Sequence, residues 1–223
     1  MALNRVPLLL SLNGGYVDTA GFLALHGLFT THVTGNFVTF GASLAHGASG
    51  AVAKLLALPV FCLVVVLTQF LSVVMQKRGR RAFRLLLAVK ALLLVGAAVL
   101  AIHCGPFPDG DAWQALVTGM ILVSAMAMQN ATHRLHLATA PPTTVMTMTV
   151  TQIMLDVGTL LHAAPDEKRA AAITRIRQMT PSAAAFALGC LAAAGLFIGT
   201  GMWVFVVPPI LATVPALWTD TPG

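Results

Sequence analysis

The stretch GGYVDTAGFLALHGLFTTHVTGNFVTFG, residues 14–41, places a carboxylate, several glycines and a Thr-Gly-Asn motif inside an otherwise apolar part of the chain. A second stretch, AMAMQNATHRLHLATAPPTTVMTMTVTQIMLDVG at residues 125–158, resembles it. When residues 17–20 are aligned with 128–131, residues 33–36 come near 146–149, and the second stretch is two residues longer between these points. Hydrocarbon is a costly place for polar side chains and free backbone, so both stretches are candidate functional regions.

The composition predicts an integral membrane protein. Of the 223 residues, 57% are apolar and only 9% are charged, whereas a soluble domain carries about 25% charged residues. The first apolar segment is unlike a cleavable signal, because polar residues and glycines interrupt it. The net charge of +6 comes from Lys and Arg that flank apolar segments, which indicates membrane orientation and no nucleic-acid partner. We therefore expect one membrane domain, residues 1–223, in contact with lipids.

Six segments have the length of a membrane span, about 20 apolar residues: 7–28, 51–75, 85–103, 113–132, 182–198 and 202–218. Two shorter, more polar segments, 32–47 and 143–162, contain the Thr-rich motifs. If all eight crossed, six Lys and Arg would lie on each side of the membrane. If the two short segments enter and leave on the same side, eleven lie in the cytoplasm and only Lys54 lies outside. The positive-inside rule favours the second arrangement.

The predicted fold is therefore an all-α, polytopic membrane helical bundle with six crossings and two short re-entrant or broken helices. Each half, residues 1–104 and 113–223, would hold three crossings, with a re-entrant segment after the first. Because three is odd, the second half would be upside down relative to the first. Such inverted 3+3 internal repeats are common in transporters, which bind substrate near the bilayer midplane. Both termini would be cytoplasmic.

Asp18 is the acidic residue of the first crossing and lies near the middle of that span. Glycines around it allow either close helix approach or local unwinding: Gly14, Gly15 and Gly21. Two roles are open for its carboxylate. It could bind a cation, a proton or a polar solute, or it could cap a neighbouring helix that begins near Thr34.

The motif Thr34-Gly35-Asn36 is typical of a break at the tip of a re-entrant helix, where glycine lets the backbone turn and Thr or Asn can cap free amides. A helix N-terminus at mid-depth would offer hydrogen-bond donors to a solute. His32 adjoins this tip and could gate a path or relay protons. We expect these residues to line a binding site, although capping alone would also explain them.

The second stretch offers counterparts to these residues. Gln129 aligns with Asp18, and Asn130 lies beside it. Thr147 and Thr149 keep hydroxyl groups where the first stretch has its Thr-Gly-Asn motif. The preceding Pro-Pro-Thr-Thr sequence, residues 141–144, is typical of a turn followed by a helix start.

No metal site, cofactor or enzymatic activity is predicted. The seven histidines and three cysteines lack the spacing of a metal site or a disulfide framework. The chain also lacks a Walker loop, a dinucleotide fingerprint, a nucleophile elbow and a metalloprotease motif.

At these residues the chain resembles the YoaK family, a bacterial membrane domain of unknown function also called DUF1275. The matching motifs are GYVDT at 15–19, FLAL at 22–25, TGN at 34–36, MQNA at 128–131 and TTVMT at 143–147. Two positions depart from the family pattern: Thr19 replaces a usual alanine, and Met148 replaces a frequent glycine. The resemblance implies a multi-pass protein of the bacterial inner membrane with six spans, and it implies no particular substrate.

The sequence thus predicts a small transporter or channel-like protein whose midplane site takes a small polar solute, with proton or cation coupling through Asp18 as one option. An anion selector would be expected to show Arg or Lys at mid-span, whereas Lys90 can extend toward the basic segment 77–84. The alternative is a non-transporting scaffold or sensor in which the Thr and Gly motifs only pack helices. Either protein could form a homo-oligomer.

Overall fold

The computed structural model describes residues 5–78, 81–144, 146–162 and 165–218, which form a helical bundle. A 3₁₀ turn, Gly201–Val206, joins the last two α-helices. The α-helices are α1 (Arg5–Ala24), α2 (Gly35–His46), α3 (Ala51–Lys77), α4 (Ala82–Cys104), α5 (Trp113–His136), α6 (Met146–Leu161), α7 (Asp166–Thr200) and α8 (Val207–Trp218).

Over the described residues, four helical segments are long and apolar enough to cross a membrane: α3, α4, α5 and the continuous segment 166–215. Their outer faces expose large apolar side chains, including Phe70, Leu92 and Ile198. Exposed apolar surface of this extent suits contact with lipid. The prediction of an all-α membrane bundle is confirmed to this extent, and the chain is consistent with a multi-pass membrane protein. The count of six crossings and the inverted repeat stay predictions.

Six helices pack side by side in the order α3, α5, α4, α8, α1, α7. The short helix α2 lies on α3 at one end of this series, and α6 lies on α7 at the other. Helix α1 also contacts α5. The two polar stretches of the sequence, which begin in α1 and α5, therefore start on helices that contact each other.

The contact between α1 and α7 is a backbone-to-backbone contact made through glycines. A Cβ atom at Gly15 would lie 2.1 Å from the carbonyl oxygen of Phe186, and one at Gly189 would lie 2.1 Å from the carbonyl oxygen of Leu12. Small residues allow this approach between membrane helices. Because α1 is helical from Arg5 to Ala24, its glycines serve close packing, one of the two roles predicted for them.

Helices α1 and α5 run in opposite directions. The side chain of Gln129, near the end of α5, donates a 2.9 Å hydrogen bond to the carbonyl oxygen of Leu10 in α1. Toward the start of α5, a Cβ atom at Gly119 would lie 2.6 Å from the side chain of Leu28, just beyond the end of α1. The end of α5 therefore lies beside the start of α1.

One end of the bundle is fastened by the loop between α4 and α5. In this loop the carbonyl oxygen of Phe107 lies 2.8 Å from Nε2 of His26, and the amide of Gly110 donates a 2.6 Å hydrogen bond to Oγ of Ser49. Ser49 also donates a hydrogen bond to Asp109, and this bond holds the pKa of the Asp109 carboxyl below its usual value. The chain just after α1 and the chain just before α3 are thus attached to the same loop.

Asp111, in the same loop, caps the start of α3. Its two carboxylate oxygens accept hydrogen bonds of 2.9–3.3 Å from the backbone amides of residues 50–53. The first amides of an α-helix have no partner within the helix, and a carboxylate also suits the positive end of the helix dipole. A side chain from the loop before α5 therefore fixes the position of α3.

Candidate functional site

In the first polar stretch, the buried carboxylate of Asp18 binds the loop that follows α1. Its Oδ1 atom accepts hydrogen bonds from the amides of Thr30 and Thr31, both 2.7 Å long, and a 3.2 Å bond from the Thr30 hydroxyl. Its Oδ2 atom lies 2.6 Å from Nδ1 of His32. The predicted capping role is therefore close to what the structure shows, except that the capped amides lie in the loop before α2 and not at its first turn.

His32 joins this buried carboxylate to a more open environment. Its side chain is 37% exposed, whereas that of Asp18 is 6% exposed. Its ring meets the ring of Phe186 in α7 edge-on, with the centroids 5.6 Å apart. An imidazole held between a buried acid and an accessible surface can exchange protons with that acid.

The Thr-Gly-Asn motif does mark the start of α2, which begins at Gly35. The side chain of Asn36 reaches back to Phe29, accepting a 2.9 Å hydrogen bond from its amide and donating a 2.8 Å bond to its carbonyl oxygen. Thr34 is exposed and occupies the N-cap position without a side-chain capping bond in the described part of the chain. In this motif the asparagine, and not the threonine, holds the loop.

In the second polar stretch, Gln129 occupies the position that corresponds to Asp18. Its Nε2 atom donates to the carbonyl oxygen of Leu10 at 2.9 Å and to the Thr143 hydroxyl at 3.2 Å. Its Oε1 atom accepts a hydrogen bond from Nζ of Lys90. Lys90 is 1% exposed, so the prediction that it extends toward residues 77–84 is wrong. Its ammonium group instead points into the bundle, where it reaches the side chain of Gln129.

Asn130 accepts a hydrogen bond from the hydroxyl of Thr144 and donates one of 3.2 Å to the carbonyl oxygen of Met126 within its own helix. Thr149 is buried, whereas Thr147 is exposed. The structure thus brings Gln129 and Asn130 against the loop before α6, and leaves Thr147 at the surface of the chain.

Sequence reasoning missed that both stretches contain a Thr-Thr pair at corresponding positions, Thr30-Thr31 and Thr143-Thr144. The bonded partners Asp18 and Thr30 are 12 residues apart, and Gln129 and Thr143 are 14 residues apart. The difference of two residues is the same as the difference in length between the aligned stretches. The repeated pair in the sequence is the signal that could have identified these threonines.

The two polar clusters approach each other along α1. A Cβ atom at Gly14 would lie 3.4 Å from Nε2 of Gln129 and 3.0 Å from the carbonyl oxygen of Thr143. Asp18 lies one helical turn further along α1, a rise of about 6 Å. That these residues bind a solute stays a prediction.

A cavity of about 390 Å³ adjoins the second cluster. Its wall combines hydroxyl, amide, imidazole and guanidinium groups with apolar surface from the loop before α6, the end of α5 and the middle of α7. The lining residues are Asn130, His133, Arg134, Ala138, Thr139, Ala140, Pro141, Pro142, Thr143, Thr144, Met148, Gln178 and Met179. Thr143 is thus in contact with the cavity and is hydrogen-bonded to Gln129.

Comparison with known proteins identifies a family without assigning an activity. No curated protein and no solved structure matches the chain. The family described as "Protein of unknown function (DUF1275)" matches residues 6–218, nearly the whole chain. The predicted resemblance is confirmed, and the chain belongs to the DUF1275 family.

Proposed function

We propose that this protein is a small transporter or channel-like protein in which two inverted halves enclose a polar path for a small polar solute. The observation that carries the proposal is the polar connection from the cavity into the bundle. Thr143 contacts the cavity and binds Gln129, which in turn binds the buried Lys90. Ionisable side chains inside a membrane bundle typically mark substrate or ion paths.

The packing supports a repeat that relates α1–α4 to α5–α8. The contact of α1 with α7 corresponds to that of α5 with α3, and the contact of α2 with α3 corresponds to that of α6 with α7. The contact of α4 with α5 likewise corresponds to that of α8 with α1. Because α1 and α5 run in opposite directions, such a repeat is inverted.

A pair of side-chain contacts supports the same repeat. On α2, Ser43 accepts a 2.6 Å hydrogen bond from Nζ of the buried Lys54 in α3. On α6, Asp156 forms a 2.5 Å ion pair with a guanidinium nitrogen of Arg175 in α7. Ser43 and Asp156 both lie 13 positions after the first threonine of their Thr-Thr pair, since 43 − 30 and 156 − 143 both equal 13. Each short helix thus contacts a basic side chain of its long neighbour through an acceptor at a corresponding position, although the two basic residues lie at different positions of their helices.

The contacts at the end of the bundle support a re-entrant path for the first polar segment. His26 and Ser49, on either side of this segment, both bind the loop between α4 and α5. Between His26 and Ser49, the backbone amide of Thr30 donates a hydrogen bond to Asp18. Asp18 lies six residues before the end of α1 at Ala24. Six residues of α-helix correspond to about 9 Å of depth. A segment that goes to this depth and returns to the same loop enters and leaves on one side.

The proposal places the protein in the bacterial inner membrane, with both termini in the cytoplasm and eleven Lys and Arg on that side. Membrane lipids and a small polar solute are the proposed partners, and homo-oligomerisation is compatible with the arrangement.

Asp18 and His32 form the proposed proton- or cation-coupling group because they join a buried acid to a partly exposed imidazole. The proposal includes no catalytic step.

Solute flux into liposomes containing the purified protein tests this proposal. Ala138 is exposed and lines the cavity, so Ala138→Trp should fill the entrance and slow the flux of any transported solute to the rate of protein-free liposomes. Ala170→Trp is the matched control, because Ala170 is exposed on α7 and lies outside the cavity lining. Flux that is absent for glycerol, propionamide and propionate alike, or that Ala138→Trp leaves unchanged, would exclude transport through this cavity.

The second candidate function is a non-transporting membrane scaffold or sensor. The observation in its favour is that the polar side chains of the first stretch bind backbone groups of their own loop. Asp18 accepts from two amides, and Asn36 binds both backbone groups of Phe29. Polar groups used in this way stabilise the fold and need no solute. The flux experiment separates the two functions, because only a transporter responds to closure of the cavity.

A further inference from the structure

Lys90 is a buried basic side chain that the described part of the chain provides with an amide oxygen and no carboxylate. Its side chain is 1% exposed and its Nζ atom donates to Oε1 of Gln129. A charged group away from water is costly unless an opposite charge or several hydrogen bonds compensate it. Asp18, the acidic side chain of α1, is already bound by its own loop. The position of Lys90 therefore suits a negative charge that comes from outside the chain.

Helices α1 and α5 also contain buried polar atoms whose hydrogen-bonding capacity is unused. Among the described residues, three buried side-chain oxygens lack a hydrogen-bond partner: Ser11 Oγ, Asn13 Oδ1 and Thr132 Oγ1. Ser11 follows Leu10, the residue that Gln129 binds in α1. Thr132 lies three residues after Gln129 and so shares its side of α5. Buried polar groups are almost always paired in proteins, so the Thr132 hydroxyl offers a hydrogen bond to a polar ligand held beside Gln129.

The cavity beside the second polar stretch gives access to this place. Thr143 is part of the cavity wall and accepts a hydrogen bond from Nε2 of Gln129. A ligand that displaces the Thr143 hydroxyl would meet Nε2 of Gln129 first and Nζ of Lys90 next. Arg134 also lines the cavity, and its guanidinium group favours the entry of an anion.

We propose that Lys90 and Gln129 form the binding site for a small monocarboxylate that enters from this cavity. One carboxylate oxygen replaces the Gln129 carbonyl as acceptor for Lys90, and the other accepts from the Gln129 amide. A monoanion matches the one positive charge that a protonated Lys90 carries, whereas a dianion would leave a net negative charge in a low-dielectric site. This inference rests on the proposed function and names the class of its solute.

Thermal unfolding of the purified protein in detergent at pH 7 tests the site, with propionate as the probe. Propionamide has nearly the same shape without the charge, and sodium chloride keeps the ionic strength constant. A saturating concentration of propionate should raise the Tm by about 2–4 °C, whereas propionamide should leave it unchanged. Equal effects of the two compounds, or no effect of propionate, would overturn the inference.

Two variants test the residues. Lys90→Met should abolish the response to propionate, while Lys54→Met, which removes another buried lysine far from the cavity lining, should retain it. Gln129→Glu places a carboxylate of the same shape beside Lys90. This variant should unfold at a higher temperature than the unchanged protein and show no further response to propionate. If Gln129→Glu still responds to propionate, the site is wrong, whether or not Lys90→Met folds.

Flux measurements distinguish a failure of this inference from a failure of the proposed function. Suppose that propionate raises the Tm and that the variants respond as predicted, but propionate does not cross the membrane of the liposomes. The proposed transport function is then wrong, and the binding site is supported. If the protein moves glycerol or propionamide through the cavity and propionate has no effect on Tm, transport stands and the monocarboxylate site fails.

Discussion

Replacing Asp18 by alanine should destabilise the protein far more than replacing it by asparagine. Asp18 is 5% exposed. Its carboxylate accepts hydrogen bonds from the amides of Thr30 and Thr31, which are themselves buried. Alanine leaves both amides without an acceptor. Asparagine keeps one oxygen in the place of Oδ1 and loses the interaction between Oδ2 and His32.

The magnitudes follow from the number of hydrogen bonds lost. A buried donor left without a partner costs about 1–3 kcal/mol, so two amides cost about 2–6 kcal/mol in Asp18→Ala. Loss of the charged partner of a half-exposed histidine costs about 1–2 kcal/mol in Asp18→Asn. Domains are typically stable by about 5–15 kcal/mol. The alanine variant should therefore lose a large fraction of its stability, and the asparagine variant a small one.

Unfolding of detergent-purified variants, followed by tryptophan fluorescence, measures these differences in the free energy of unfolding. Asp166→Asn serves as the control, because Asp166 is exposed in the first turn of α7 and its charge there contributes about 0.3–1 kcal/mol. If Asp18→Ala and Asp18→Asn unfold alike, the carboxylate does not hold the loop amides, and the structural account of this motif is refuted.

Three further predictions concern helix packing, capping and topology. Gly189→Ala should lower the free energy of unfolding by about 1–3 kcal/mol, because its Cβ would lie 2.1 Å from a carbonyl oxygen of α1. Gly199→Ala is the control in the same assay: its Cβ would meet open space, so the substitution should be neutral or stabilising. Asp111→Ala should cost about 1–2 kcal/mol through loss of the α3 cap, and a loss under about 0.3 kcal/mol would contradict the capping role. Topology can be tested in a variant that lacks the native cysteines. Ala48→Cys should react with an impermeant maleimide added outside intact cells, whereas Ala170→Cys should react only after lysis. Labelling of both cysteines from the same side would exclude the inverted topology.

The amino-acid sequence was sufficient to predict the helical membrane class because span length and the scarcity of charge are properties of composition. It also placed the start of α2 correctly, since a glycine after a threonine is an effective local signal for a helix boundary. The two-residue length difference in the alignment of the polar stretches agrees with the separations of the Asp18–Thr30 and Gln129–Thr143 contacts, which were not predicted from the sequence. These predictions depend on local pattern alone.

The sequence could not show which side chains meet across the bundle. Lys90 lies in an apolar segment from which a lysine can reach either the membrane surface or a polar partner, and only the packing of α4 against α5 decides between them. The partner of Asn36 could not be predicted either, because Phe29 binds it through backbone groups and its side chain gives no polar signal in the sequence. The residues that the sequence identified least well are those whose role depends on a neighbour distant in the chain.

The two polar stretches are anchored to different degrees, and this difference has a consequence for local opening. In the first, a carboxylate holds two loop amides, and both flanks bind the loop between α4 and α5. In the second, two threonine hydroxyls and the carbonyl oxygen of Pro141, which lies 3.0 Å from Nε2 of His133, make the contacts, and a cavity adjoins them. Segments with fewer buried contacts open at lower free energy. Amide deuterium exchange should therefore proceed faster in residues 146–150, at the start of α6, than in residues 30–36, so that the segment beside the cavity opens more readily than the loop before α2.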